Sequence, residues 1–324
     1  MLNQNTFSDT VIPIYAKATG KVRYRMTNDY LFRAVFQTNQ KALTGLLCSL
    51  LHLKPEEIKE TTIRNPIELG ETLDDKTVVL DISILLNQNR IINLEMQVVN
   101  EGNWPERSLT YLCRTFDNLT RGQGYIETMP VIQICFLEFD LFPEHPEFYA
   151  TYKLQNEKNH HVYSDKFVLS VINLNQTKLA TEEDRSNHID EWAALFRTTE
   201  WEEIKMLAQN NEYIQEATNT MYMLSEEERI RQQCEAREEY YRLQRYHKYK
   251  EEQAKQLEIH CAELENHCEQ LESHCEQLEN QREQLENQRE QLESHCEQLQ
   301  AQLSQKDAEL IALQKELEQL RNLK

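Results

Sequence analysis

The stretch LDISILLNQNRIINLEMQ, residues 80–97, holds two apolar strand patterns around the polar turn NQN, and each contains one acid, Asp81 or Glu95. Side chains alternate across a strand. Leu80, Ile82 and Ile84 therefore share one face, with Asp81, Ser83 and Leu85 on the other. Ile92, Leu94 and Met96 likewise oppose Asn93, Glu95 and Gln97. Matching the apolar faces of an antiparallel pair about Gln88 makes paired residue numbers add to 176, which sets Asp81 opposite Glu95. Such a pair has Cβ atoms about 4.5–5.5 Å apart, where two carboxylates repel unless a proton or a cation lies between them.

Working outward, TNDYLFRAVF (residues 27–36) opens with Thr27 or Asn28 as an N-cap and continues with Leu31, Phe32, Val35 and Phe36 at helical spacing. Residues 43–51 form a second helical run, and residues 58–69 alternate as a strand. The two strands of the opening stretch span residues 76–86 and 90–98. A helix follows from Pro105, ended by Gly122 and Gly124, and then the continuous apolar strand PVIQICFLEF. The order is helix, three strands, helix, strand. Residues 139–224 add two strands, FYATYKLQ and KFVLSVINL, and a helical stretch around EWAALF.

Composition changes near residue 225. All seven prolines and all six glycines come before it, and Glu, Gln and Leu dominate after it. Leucine recurs every seven residues from Leu257 to Leu299. A second stripe four residues on holds Cys261, Cys268, Cys275, Arg282, Arg289, Cys296 and Leu303. This is the heptad signature of a left-handed coiled coil, with leucine at d and the second stripe at a. The boundaries read from the sequence are an N-terminal extension at 1–25, an α/β domain at 26–224 and a helical tail at 225–324.

The formal charge of -20 divides evenly, with 21 basic and 31 acidic side chains before residue 225 and 14 and 24 from there on. That counts against a broad basic surface for nucleic acid and leaves local clusters or a bound cation to meet a polyanion. The sequence has no signal-peptide pattern and no apolar run long enough for a bilayer, so a reduced, cytoplasmic protein without membrane contact is expected. The four His-Cys pairs of the tail suggest soft-metal ligands, but adjacent helical residues point about 100° apart. Gln-Arg occupies the same slots at 281–282 and 288–289, as repeat expansion would produce.

On spacing alone the acid pair admits two readings, the solvent face of a hairpin or a site for Mg²⁺ or Mn²⁺ with oxygen ligands. TNDYLFRAVF, VVLDISILLNQNRIINLEMQ, ERSLTYLCRTFDNLTRGQGY and LSEEERIRQQCEAREE, in that order, resemble the PD-(D/E)XK nuclease superfamily, and within it the transposase-like, recombination-promoting nuclease family. The resemblance covers roughly residues 26–240 and implies an αβββαβ, restriction-endonuclease-like core with a mixed sheet flanked by helices. It implies metal-dependent cleavage of DNA, with Asp81, Glu95 and the Met96 carbonyl as metal ligands.

Gln97 stands at the family's lysine position and Leu80 at its proline. A neutral amide can orient water but carries no charge, so a nuclease-fold scaffold working through coiled-coil homo-oligomers is the alternative. Lys76 is a poor replacement cation, about 17 Å along a regular strand from Asp81 and on its other face. Arg107 and Tyr111, one helical turn apart, are better placed to contact phosphate, or else are a solvated charge and a packing residue. Asp29 could approach a metal, although an acid at a helix N-terminus is more often a surface group.

Overall fold

The computed structural model describes residues 13–68 and 78–321. Its strands are β1 (Thr61–Ile63), β2 (Ile67–Glu68), β3 (Val78–Val79), β4 (Ile82–Leu86), β5 (Arg90–Gln97), β6 (Val131–Leu137), β7 (Tyr149–Lys153) and β8 (Phe167–Asn173). Its α-helices are α1 (Asp29–Thr38), α2 (Gln40–Leu51), α3 (Trp104–Phe116), α4 (Glu182–Ser186), α5 (Ile189–Arg197), α6 (Trp201–Asn210), α7 (Glu212–Glu226) and α8 (Glu228–Arg321). The chain divides into two compact units, Met1–Lys248 and Tyr249–Lys324.

In the first unit a six-stranded mixed sheet has the order β1-β4-β5-β6-β8-β7. The hairpin β4–β5 is antiparallel with Ile82 opposite Leu94 and Ser83 opposite Asn93, which is the expected register. Asn87 and Gln88 adopt the left-handed conformations, φ 50° and 56°, that reverse the chain between them. β5, β6 and β8 then run parallel. The strand expected at 58–69 is split around Pro66: β1 joins the main sheet and β2 pairs with β3 in a separate ribbon. Residues 69–77, Lys76 among them, lie outside the described residues.

Strand alternation gives the sheet two distinct faces. Ile84, Leu94, Met96, Phe136 and Ile172 point into the main core, packed against Leu31, Phe32, Phe36, Trp192 and Phe196 of α1 and α5. α2 meets α7 closely at Gly45, where a Cβ would overlap Tyr213. The opposite face is covered by α3 and is more polar. Asn93 Nδ2 donates to Thr115 Oγ1 at 2.9 Å and to Gln133 Oε1 at 3.0 Å, all three residues being buried. The Asn93 Nδ2 to Gln133 Oε1 bond forms because β5 and β6 pair Asn93 with Gln133, while Asn93 Oδ1 is buried without a partner. Asp81 and Glu95 lie at the end of this polar face.

The composition change at residue 225 does not coincide with the edge of the compact unit, which extends to Lys248. The first turns of α8 bury Ile230, Cys234 and Tyr241, the last against Val98 and Val99. In the second unit α8 continues as one helix to Arg321, and residues 249–318 are all exposed.

Candidate functional site

Asp81 sits one residue before β4, at the point where the β4–β5 ladder ends. There the two acids exchange bonds with the opposite backbone. The Asp81 N–H donates to Glu95 Oε1 at 3.0 Å, and the Met96 N–H donates to Asp81 Oδ2 at 2.8 Å. Both side chains are buried, Asp81 at 8 % and Glu95 at 2 % exposure. The reading in which the pair belongs to a solvated hairpin face is therefore wrong: the face is roofed by α3. Odd-numbered residues of β5 turn their backbone groups toward β6, as when Gln97 O accepts from the Glu138 N–H. By alternation the Met96 carbonyl turns the other way, to the side of Asp81 where the ladder has stopped.

Asp81, Glu95, Met96, Gln97, Arg107 and Tyr111 line one cleft of about 300 Å³, together with Asp29, Arg33 and Arg237. A larger cavity of about 730 Å³ opens beside Arg197 and Glu203, remote from the acid pair, so size does not select the site. Gln97 turns its amide back on its own chain, Nε2 donating to Val99 O at 3.0 Å. Arg107 Nε donates to Tyr111 Oη at 2.9 Å, and its guanidinium lies 5.4 Å from the Trp104 ring centroid. Arg107 is held over aromatic rings and interacts electrostatically with Glu95, and Tyr111 is buried against Leu80.

Burial pushes the Asp81 carboxyl up to about 7, Asp29 adds to the shift, and the Met96 N–H and the charges of Arg33 and Arg237 oppose it. Burial, then the proximity of Asp81, raises Glu95 well above the carboxylate range. Two desolvated acids in contact hold protons that a cation would replace. Burial would lower Arg107, but Tyr111, Glu95 and Glu101 together raise it.

The sequence reading missed Arg33 and Arg237 and left Asp29 between a place near the metal and the surface. Asp29 is in fact 2 % exposed, because the start of α8 covers the N-terminus of α1. Arg237 grips both Asp29 oxygens, Nε lying 2.6 and 2.7 Å from them, and stacks on Tyr240 and Tyr241. Tyr241 Oη accepts from the Asp29 N–H at 3.3 Å, and Asn28 Nδ2 donates to Cys234 O at 3.0 Å. The available signal was the apolar spacing of Ile230, Cys234 and Tyr241, the three residues that the start of α8 buries. Arg33 stands one turn beyond Asp29, with a buried Nε that has no hydrogen-bond partner.

With this geometry in place, the comparison with known families is decisive. Residues 26–251 match the PD-(D/E)XK nuclease family transposase. The chain belongs to this family. No curated protein and no solved structure matches it. The family match runs past residue 240 into the same α8 segment that carries Arg237 and Tyr241, so the helix start is part of the nuclease-family domain. Membership points to a nuclease-type function with DNA as partner and a divalent metal as the usual cofactor.

The donor set suits such a metal. Among the described residues no three His, Cys, Asp or Glu side chains converge as a ready ligand cluster. Asp29 is committed to Arg237, which leaves two carboxylates and one carbonyl, all hard oxygen donors. None of the described helices is long and apolar enough to cross a membrane.

Proposed function

We propose that this chain is a Mg²⁺-dependent DNA endonuclease, able to use Mn²⁺, of the transposase-like, recombination-promoting type. The observation that carries the reading is the buried pair Asp81 and Glu95 in one cleft with Arg33 and Arg107, within a chain of the PD-(D/E)XK family. The two carboxylates and the Met96 carbonyl would hold the ion. Bound there, it would supply Lewis acidity to water and to a phosphate oxygen.

The remaining work falls to the chain's own side chains. Gln97, with Nε2 committed to Val99, keeps its amide oxygen to accept a hydrogen bond from the attacking water and orient it. It brings no charge, and Arg33 fills that deficit: its guanidinium shares the cleft and acts electrostatically on Asp81. Arg107, positioned by Tyr111, draws the scissile phosphate toward the acids. Local arginines thereby offset the repulsion that a net charge of -20 exerts on DNA. The heptad tail joins copies of the chain as a coiled coil, bringing more than one nuclease unit to one DNA.

In the deciding experiment, purified protein nicks or linearises plasmid DNA with Mg²⁺ or Mn²⁺, and Asp81→Ala lowers the rate by at least about 1,000-fold. Equal cleavage by the variant would refute the assignment. Gln97 favours a second reading, a nuclease-fold scaffold acting through its tail. Calorimetry with no divalent-ion binding in a protein that still self-associates would select it.

A further inference from the structure

Among the described residues of the second unit nothing covers the leucine stripe. The d-position leucines from Leu257 to Leu299 are 46–66 % exposed on an unbroken helix, and Leu303, Leu310 and Leu317 continue exposed at a. Resting on the coiled-coil assembly proposed above, we infer that two copies of this chain pair along residues 257–320 in parallel and in register. Each heptad cysteine then faces its own counterpart.

Orientation follows from the flanking charges. Every e position from Glu258 to Glu293 is glutamate, and the g positions from His260 to His295 are only histidine or glutamine. In a parallel pair, g of one helix lies beside e of the next heptad on the other. His260 then meets Glu265, Gln281 meets Glu286 and Gln288 meets Glu293, each a hydrogen-bond donor beside an acceptor. In an antiparallel pair e faces e, and the glutamates of the two copies oppose one another along the coil.

Register follows from the last heptads, which differ from the repeats before them. Aligned in step, Leu303, Leu310, Leu313 and Leu317 meet their own counterparts. A slip of one heptad sets Leu303 against Cys296 and Leu313 against Lys306. Arg289 at a does not block this arrangement. Arg289 Nε lies 3.6 Å from Glu293 Oε1 on its own helix, so its charge is drawn to the flank of the seam. Arginine at a also selects two strands, since a seam of three or four would enclose the guanidinium.

The test uses the full chain carrying Cys113→Ser, which removes the exposed cysteine of the first unit, and keeps a single tail cysteine, Cys261 in one protein and Cys296 in another. Sedimentation should give twice the chain mass. Mild oxidation or a short bis-maleimide should convert each protein alone to a covalent dimer, and Leu278→Glu with Leu285→Glu should return it to a monomer. A monomeric mass for the parent would overturn the pairing itself. A dimer that cross-links at neither cysteine, or at only one, would overturn the parallel register while leaving assembly intact, and a trimeric mass would overturn the two-stranded seam.

Discussion

The two units carry similar charge and handle it in opposite ways. Residues 1–248 and residues 249–324 each sum to a net charge of -10. In the tail beyond Tyr249 every described charge stands in water, and ion pairs such as Arg289–Glu293 join side chains 67 and 68 % exposed. In the first unit the charges that matter are buried: Asp29 under Arg237, Asp81 against Glu95. Water screens the one set, whereas the other must be balanced by neighbours. Net charge therefore says little about where an acid is energetically expensive, and burial says most of it.

The largest effect that should expose this contrast is in pH. Asp81 ordinarily titrates near 3.8 and is held in the fold at about 7, so between those values the folded state binds more protons than the unfolded one. Metal-free stability should consequently fall as pH rises from about 4 to about 7, by on the order of 4 kcal/mol. Chemical denaturation across that range checks it. Asp81→Asn should reduce the dependence to the part that buried Glu95 carries, and added Mg²⁺ should raise the unfolding midpoint more at pH 8 than at pH 5.

Next in size is the clamp on Asp29. Arg237→Ala leaves a buried carboxylate without its partner and should cost about 3 kcal/mol, the low end of what breaking a buried pair costs, because the arginine side chain is 39 % exposed. Pairing it with Asp29→Asn should restore much of that loss, as measured by urea unfolding. The smallest effect belongs to the tail. Glu276→Gln, on a fully solvated helix face, should change the unfolding free energy of the first unit by less than about 0.5 kcal/mol.

Much of the fold could be read from residues 80–97 and their surroundings, because strict alternation fixes both the faces and the register of a hairpin. The same alternation brought Asp81 to Glu95, and the helical spacing of Arg107 and Tyr111 brought them to the same cleft. Asp29 and Arg237 could not be joined this way, since 208 positions separate them and no local period links α1 to α8. Composition misdirects at that point: the start of α8 has the Glu-rich, Gly-free chemistry of a solvated helix, yet Ile230, Cys234 and Tyr241 are buried in the first unit. Gln97 was legible as a missing charge, but the arginine that shares its cleft, Arg33, lies on another element and emerges only from the tertiary fold.

The buried amides beneath α3 carry a consequence for how this protein reaches its native state. Asn93 and Gln133 bond to each other only while β5 and β6 hold their register. A β5 strand one residue out of step would turn Asn93 beside Ile132 or Ile134 and into the apolar core, and would send Leu94 into the polar layer. Asn93 would then be stranded in hydrocarbon and Gln133 would lose its partner, at about 1–3 kcal/mol each. The sheet thus carries its own check against misassembly, and a chain that passes it has already brought the two carboxylates together.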